Sequence, residues 1–205
     1  KMECYVNNKW MIVSTSSPTL NGGDGRGFFA GGTTTPFPTP VNTIDMITIA
    51  TAGDAVNFSD LTQQVREVGG AAASKTRGIR AGGTISGSPP ASTHTDTIDF
   101  ITMSTQSDAT DFGNLTQHSL SFGSSTGGSE TRGIFMFSMQ ASSPTRTVVD
   151  TIEFVTIAST GNSNDFGNLT AASQTEQCSS SPTRTLKYGG FNPNRSKQVE
   201  FITTA

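Results

Sequence analysis

The chain contains three copies of one segment, spaced 54 residues apart. The copies begin at Thr43, Thr97 and Thr151, and each reads Thr-Ile-acid followed by an apolar run. Self-similarity at a fixed period of this size is typical of arrays in which each unit buries its apolar faces against its neighbours. A feature present in every unit is therefore expected to build the unit, whereas a functional site is expected to be local.

Two further blocks recur in phase with the first. One reads Phe-x-x-Leu-Thr and begins at Phe58, Phe112 and Phe166. The other opens on an arginine and begins at Arg26, Arg77, Arg132 and Arg184. Because the blocks keep the same order in each period, the sequence predicts one continuous array without a linker, that is, a single domain over residues 1–205.

Composition favours an all-β protein. Charged residues make up 14% of the chain and hydrophobic residues 33%, and 22 of the 205 residues are glycine. The charge content is too low for typical disorder, and the many turn-forming residues suit short strands. The formal net charge of −3, without a Lys/Arg run, predicts no nucleic-acid partner. No apolar stretch approaches the roughly 20 residues that span a bilayer, which predicts no membrane partner.

No cofactor or metal motif is found in the sequence. The two cysteines are too few for a disulfide scaffold or a cysteine-based metal site. The glycine-rich segment 22–27 leads into a strand pattern, whereas a phosphate-binding loop leads into a helix. The two histidines, His94 and His118, lie at different repeat positions. We therefore expect no cofactor, no metal and no catalytic residues.

One period divides into four short strands separated by Gly- and Asp-rich turns. In the second copy these are strand a over 65–74, strand b over 77–81, strand c over 95–104 and strand d over 111–117. Four such strands in each repeat are typical of the blade of a β-propeller.

Strand c is apolar on both of its faces. Ile98 and Phe100 lie on one face and Ile101 and Met103 on the other, because successive side chains of a strand alternate. A strand of this kind has to be covered on both sides. Blades stacked face to face around an axis provide that cover, so the sequence predicts a propeller in preference to a sandwich or a β-solenoid.

The array is predicted to close into a ring of four blades, over approximately 11–63, 64–118, 119–171 and 172–205. The last blade lacks a strand d. We expect residues 1–10 to supply it, so that the amino-terminal strand closes the ring and leaves no exposed sheet edge. Two alternatives stay open. A neighbouring copy supplies the strand and gives a larger ring or a filament, or the array continues beyond this sequence.

An acidic residue recurs within the otherwise apolar strand c. In the four copies it is Asp45, Asp99, Glu153 and Glu200. A buried carboxylate needs a partner, and the repeat offers one arginine per unit at the start of strand b. We therefore predict acid–arginine contacts, within or between blades, that involve Arg26, Arg77, Arg132 and Arg184. The alternative is a ring of carboxylates that act as acid–base groups or metal ligands.

The end of strand b resembles a kelch repeat. Segments 29–32, 80–83 and 188–190 each end in Gly-Gly, ahead of an apolar strand c, whereas the third copy reads Met-Phe-Ser over 136–138. The tryptophan of kelch strand d is absent, and Phe112 and Phe166 are expected to take its packing role. Over residues 26–205 the units are most similar to a variant found in structural and tail-fibre-like proteins of bacteriophages and in bacterial surface proteins. The resemblance implies a propeller, a fold that hosts both binding modules and enzymes.

The turn between strands c and d resembles a second family element. Segments 163–170 and 109–116 are similar to the Asp-box of sialidase-like propellers. In those families the box stabilises a turn and lies away from catalysis. An aspartate can accept backbone N–H bonds from its own turn, so we interpret the segment as structural.

Recognition is expected on the loops between strands b and c, which vary most between copies and lie in phase on one face of the disc. The residues of this expected binding face are Phe37, His94 and Arg146, and plain solvated connectors are the alternative. Four Asn-x-Ser/Thr patterns predict glycosylation in a secreted eukaryotic context, at Asn57, Asn114, Asn168 and Asn194, unless the repeat merely generates them.

Together these features predict a non-enzymatic structural and adhesive module. It would belong to a virion fibre or to an extracellular surface or filament, associate with itself or with other structural proteins, and bind carbohydrate or protein. The alternative is a glycan-acting propeller enzyme, sialidase-like or oxidase-like. Its absence is expected because the sequence contains no non-repeating cluster of His, Glu and Tyr.

Overall fold

The structure is a computed structural model of the chain. It describes residues 2–6, 9–13, 25–36, 39–68, 70–86, 92–120, 126–137, 139–142, 145–174 and 177–204. The side chains of residues 2–6, 9–13, 120, 141–142 and 145–146 lie outside this description. The described residues form strands and turns and no helix, which confirms the all-β class. The described part of the chain accordingly contains no helix long and apolar enough to cross a membrane.

All of the strands are short, and in chain order they are β1 (Met2–Val6), β2 (Lys9–Val13), β3 (Arg26–Ala30), β4 (Thr33–Thr34), β5 (Thr39–Thr48), β6 (Val56–Val65), β7 (Gly70–Ala73), β8 (Arg77–Ala81), β9 (Thr84–Ser86), β10 (Thr93–His94), β11 (Thr97–Thr102), β12 (Thr110–Asn114), β13 (Ser119–Leu120), β14 (Thr126–Gly128), β15 (Arg132–Met136), β16 (Met139–Ser142), β17 (Thr145–Val148), β18 (Thr151–Thr156), β19 (Asn164–Asn168), β20 (Gln177–Ser180), β21 (Arg184–Tyr188) and β22 (Val199–Thr203).

The repeat folds into four successive antiparallel sheets, here called units 1 to 4. Units 2 and 3 are complete, with the spatial orders β12-β11-β8-β7 and β14-β15-β18-β19. In unit 2 this order is that of the predicted strands d, c, b and a, and in unit 3 it is that of strands a, b, c and d. Unit 1 consists of β3, β5 and β6, with β4 also paired to β5, and unit 4 consists of β20, β21 and β22. In the described residues, therefore, unit 1 has no strand a and unit 4 has no strand d.

The amino-terminal segment forms a hairpin of its own. β1 pairs with β2, from Met2 opposite Val13 to Val6 opposite Lys9. The predicted closure required residues 1–10 to lie along the far edge of the last strand c, but among the described residues β22 ends the sheet β20-β21-β22 and β1 pairs with β2. The structure therefore does not contain that closure. A hairpin between neighbouring segments costs little loop entropy, whereas the predicted pairing joins opposite ends of the chain.

The apolar core lies between the units, at contacts that we call joints. At the joint of units 2 and 3, the buried Ile98 and Phe112 of unit 2 pack with Phe135 and Val155 of unit 3. A second cluster joins units 1 and 2 through Ile101, and a third joins units 3 and 4. Strand c of units 2 and 3 is thus covered on both faces, which confirms the prediction made from its alternation.

A β-bulge recurs at the same place in the c–d pair of units 1, 2 and 3. In unit 2, Ile98 lies opposite Gly113 and Asp99 lies opposite Asp111, so Phe112 is the extra residue. Phe58 and Phe166 hold the same position in units 1 and 3. Phe112 packs edge-to-face on Phe100, with 5.9 Å between the ring centroids. In units 1, 2 and 3 the shared phenylalanine therefore helps to fill the core.

Candidate functional site

The recurring acids of strand c lie within the joints. Asp99 and Glu153 are 1% and 2% exposed, and both face the preceding unit. Each lies opposite the fourth residue of strand b, so that Asp99 pairs with Arg80 and Glu153 with Phe135 in the sheet register. The neighbour of the acid thus changes from unit to unit, and the three joints use different polar partners.

At the joint of units 1 and 2, Asp99 binds two partners. The Arg80 guanidinium forms a buried ion pair with its Oδ2, and the Thr62 hydroxyl of unit 1 donates to its Oδ1. Burial lowers the pKa of the Arg80 guanidinium from its ordinary value, and the neighbouring Asp99 carboxylate opposes that shift. The two charges compensate each other away from water.

At the joint of units 2 and 3, Glu153 has no cation opposite it and accepts neutral hydrogen bonds. The backbone amide of Thr116 donates to Oε2 at 3.0 Å, and the Thr116 hydroxyl donates to Oε1 at 2.5 Å. The Ser163 hydroxyl donates to Oε2 as well. Both oxygens of this buried carboxylate are therefore satisfied by hydrogen bonds.

At the joint of units 3 and 4, Glu200 combines both kinds of partner. Lys187 Nζ lies 3.7 Å from its Oε1, and the backbone amide of Thr170 donates to its Oε2 at 2.8 Å. Asp45 holds the same position in unit 1, opposite Phe29, and is half-buried. Its side of unit 1 is the outer side of the array.

The predicted pairing of these acids with the first arginine of strand b is wrong. Arg77 lies opposite Thr102 while Asp99 lies opposite Arg80, so Arg77 and Asp99 project from opposite faces of the sheet. The Arg77 guanidinium lies 4.7 Å from the centroid of the Phe100 ring and donates to the carbonyl of Ile157 in unit 3 at 3.0 Å. That carbonyl is four residues along strand c from Glu153, which is roughly 13 Å.

The other three arginines hold equivalent positions. Arg26 donates to the carbonyl of Met103 in unit 2 at 2.8 Å. Arg132 and Arg184 lie over the rings of Phe154 and Phe201. Arg26 and Arg77 therefore connect their units to the next through a backbone carbonyl, while the ring contacts lie within the arginine's own unit. The acids of units 2, 3 and 4 contact the unit before.

The connections between strands b and c form short hairpins that pack side by side, as expected of a shared face. β9 contacts β5 and β6, and β10 contacts β16. At the base of these hairpins the Thr84 hydroxyl donates to Glu67 Oε2 at 2.7 Å and lies 3.0 Å from His94 Nδ1. Glu67 has a φ of 51°, and Arg66 Nη1 lies 2.7 Å from its Oε1.

This cluster corrects the role expected for His94. Its imidazole is buried, so it supports the β9–β10 hairpin from beneath and is not presented on the surface. Phe37 and the Arg146 side chain lie outside the described residues. Thr84, whose hydroxyl lies between the Glu67 carboxylate and the His94 imidazole, is fully buried and therefore does not contact a substrate.

The Asp-box interpretation agrees with the geometry of its turn. Asp165 Oδ1 accepts the backbone amide of Gly167 at 3.1 Å, and Gly167 has a φ of 135°. The four asparagines of the glycosylation patterns, Asn57, Asn114, Asn168 and Asn194, are all exposed. Asn168 donates from its amide to Asp150 at 2.9 Å. Their modification stays a prediction.

Several cavities follow the repeat. One, of about 430 Å³, is lined by the inner strands of units 2, 3 and 4, including Ala72, Ser129 and Cys178. Another, of about 320 Å³, lies between units 1 and 2 with mainly apolar walls, and a further one, of about 350 Å³, lies between units 3 and 4. Within the described ranges no group of three or more His, Cys, Asp or Glu side chains is placed to hold a metal ion.

Sequence reasoning missed the partners that bind the acids. Arg80 and Lys187 hold a position that is Phe29 in unit 1 and Phe135 in unit 3, so the repeat hides it. The threonine donor from strand d did have a sequence signal, because threonine follows leucine in every Phe-x-x-Leu-Thr block.

Neither protein-family models nor curated proteins give a match to this chain.

Proposed function

We propose that this chain is a non-enzymatic structural and adhesive module built on a four-bladed, kelch-like β-propeller plan. In this proposal each unit is one blade, the chain acts in a virion fibre or at an extracellular surface, and its partners are copies of itself, other structural proteins or carbohydrate. The proposed ring is completed by contacts that one chain does not make alone.

One observation carries this proposal: the recurring charged side chains are used to connect units. Asp99 binds Thr62, Glu153 binds Thr116 and Glu200 binds Thr170, in each case across a joint. A carboxylate that already accepts bonds from protein donors in a buried site is not free to act on a substrate. The repeat therefore accounts for these groups as parts of a scaffold.

The glycines at the end of strand b support the kelch-like plan. Gly82 and Gly83 have φ values of 66° and 114°, and Gly189 and Gly190 have 74° and 112°. A Cβ on Gly83 would lie 2.5 Å from a methyl group of Val65 in the preceding unit. Glycine is needed here both for its backbone and for the close approach of two units.

The hairpins between strands b and c support an adhesive role. They come from successive units, pack side by side and surround a rigid scaffold, which is the usual setting of recognition loops. Their Ser, Thr and Asn side chains offer the donors and acceptors that bind sugar hydroxyls.

The proposal is tested on the purified full chain with a glycan array, electron microscopy and turnover assays on fluorogenic glycosides. We expect binding or ordered assemblies without release of the fluorophore. Glycoside turnover by the isolated chain, reduced by a substitution at a surface carboxylate but not by one at a joint, would contradict it.

A further inference from the structure

We infer that the two ends of the array are the two halves of a head-to-tail interface between copies of this chain. This inference rests on the proposed structural function and names the partner as a second copy. The leading face is the outer side of unit 1, which carries Phe29, Asp45 and Ile49. The trailing face is the outer side of unit 4, which carries Arg184, Leu186, Tyr188, Val199 and Phe201.

The leading face repeats a surface that is buried inside the array. Phe29 is 58% exposed, whereas Arg80 and Phe135, at the same position of units 2 and 3, are 4% and 0% exposed. Ile49 is exposed, but the equivalent Met103 and Ile157 are buried against the preceding unit. Unit 1 thus presents to solvent the face that later units bury in a joint.

The trailing face repeats the opposite half of a joint. Phe201 and Val199 are 60% and 64% exposed, although Ile98 and Ile152, equivalent to Val199, are buried. Leu186 is opposite Phe201 and Tyr188 is opposite Val199, so the four side chains share one side of the sheet. The result is a contiguous apolar patch, which marks an interaction surface.

One polar contact of a joint, the bond from the arginine to a carbonyl of the next unit, has its equivalent groups at the two ends. Arg184 Cζ lies 4.9 Å from the centroid of the Phe201 ring, as Arg77 Cζ lies 4.7 Å from that of Phe100. Arg77 reaches from there to the Ile157 carbonyl of the next unit. In a head-to-tail pair, Arg184 of one copy has the Ile49 carbonyl of the next copy as its equivalent acceptor.

A second copy is the occupant that these observations favour. The two faces carry the strand b and strand c groups that adjacent units already bring together, and both are exposed within one molecule. The patches are not self-complementary, so the contact is heterologous and leads to a ring or a filament according to the rotation between copies. A different protein would have no reason to match both faces in register with the repeat.

The test uses one substitution on each face of the full chain. Phe29→Lys places a lysine opposite Asp45, as Lys187 lies opposite Glu200, so it is compatible with folding. Phe201→Lys changes an exposed side chain on the trailing face. Phe191→Lys, at an exposed aromatic of a turn in unit 4, is the matched control. Association is measured by sedimentation velocity over a concentration series, and folding by circular dichroism.

We expect the unsubstituted chain and Phe191→Lys to form oligomers that grow with concentration. Each face variant alone is expected to weaken association by about 30-fold or more, as for loss of a central aromatic anchor. A mixture of the two face variants is expected to form a 1:1 dimer that does not extend, because each contributes one intact face. That complementation is specific to a heterologous interface.

Three results would overturn the inference. The first is a chain that stays monomeric at all concentrations, because its end faces would then not bind each other. Face variants that fail to complement each other indicate an isologous contact, and association unaffected by either variant indicates another surface. A monomer that still binds glycans without turnover would leave the proposed function standing, whereas glycoside turnover would count against that function whatever the association state.

Discussion

Thr116 and Glu153 belong to different units, yet the amide and the hydroxyl of Thr116 both donate to the Glu153 carboxylate, at 3.0 and 2.5 Å. The Thr62–Asp99 contact repeats the hydroxyl bond one unit earlier, and Thr170–Glu200 repeats the amide bond one unit later. The most conspicuous acid of the repeat is therefore a connector between units. This relationship leads to the first of four predictions.

Thr116→Val should destabilise the chain by about 1–3 kcal/mol, because the buried Glu153 carboxylate loses one of its hydrogen-bond donors. The free energy of unfolding is measured by urea denaturation. Thr156→Val, at an exposed position of β18, is the matched control and should change it by less than about 0.5 kcal/mol. Equal effects of the two substitutions would show that the hydroxyl contributes nothing to the joint.

Asp99→Ala should be more severe, at about 3–5 kcal/mol, because it leaves the buried Arg80 charge without its partner. The double variant Arg80→Met with Asp99→Leu should recover part of this loss, since it removes both charges. Glu130→Ala breaks the exposed pair with Lys75, whose atoms lie 3.3 Å apart, and should cost at most about 1 kcal/mol. Failure of the double variant to recover stability would contradict a charge-based explanation.

Gly113→Ala and Gly167→Ala form a matched pair, because both glycines occupy the bulge with φ values of 149° and 135°. A Cβ on Gly113 would collide with the carbonyl oxygen of Gly161 in unit 3, whereas one on Gly167 meets nothing within 4 Å. The backbone strain should lower the free energy of unfolding equally in both variants. In Gly113→Ala overpacking should lower it by about 1–3 kcal/mol more. Thermal unfolding of the two variants measures the difference, and equal melting temperatures would argue against a close approach of units 2 and 3.

Arg77→Met removes the contact with Phe100 and the bond to the Ile157 carbonyl, and should cost about 1–2 kcal/mol. Arg184→Met removes the equivalent ring contact at the outer side of unit 4 and should cost no more than about 1 kcal/mol in the monomer. Unfolding is followed at a concentration at which both proteins are monomeric. A larger loss for Arg184→Met would contradict the role given to the arginine block.

The class and the strand plan could be predicted because they follow from local patterns. Ile98, Phe100, Ile101 and Met103 alternate with period two and are apolar on both faces, which requires cover on both. Turn residues divide the period into four strands. In units 2 and 3 the position of each strand within its sheet followed from these signals.

The partners of the acids could not be predicted, because they depend on the register between strands b and c. The repeat drew attention to Arg77, because an equivalent arginine is present in every unit. In the register between β8 and β11, however, Arg77 lies opposite Thr102 and so projects from the face away from Asp99. His94 posed a similar problem. Its burial depends on Glu67, which reaches it through Thr84 from the turn after β6.

The sequence order of the threonine donors and their carboxylate acceptors bears on how the chain folds while it is being synthesised. Each donor precedes its acceptor in the sequence. Thr62 lies 37 residues before Asp99, and Thr116 lies 37 residues before Glu153. A nascent chain therefore exposes each unit's donor before the matching carboxylate has left the ribosome. This order allows folding to be completed from the amino terminus, with each finished unit offering its donors to the next one to emerge.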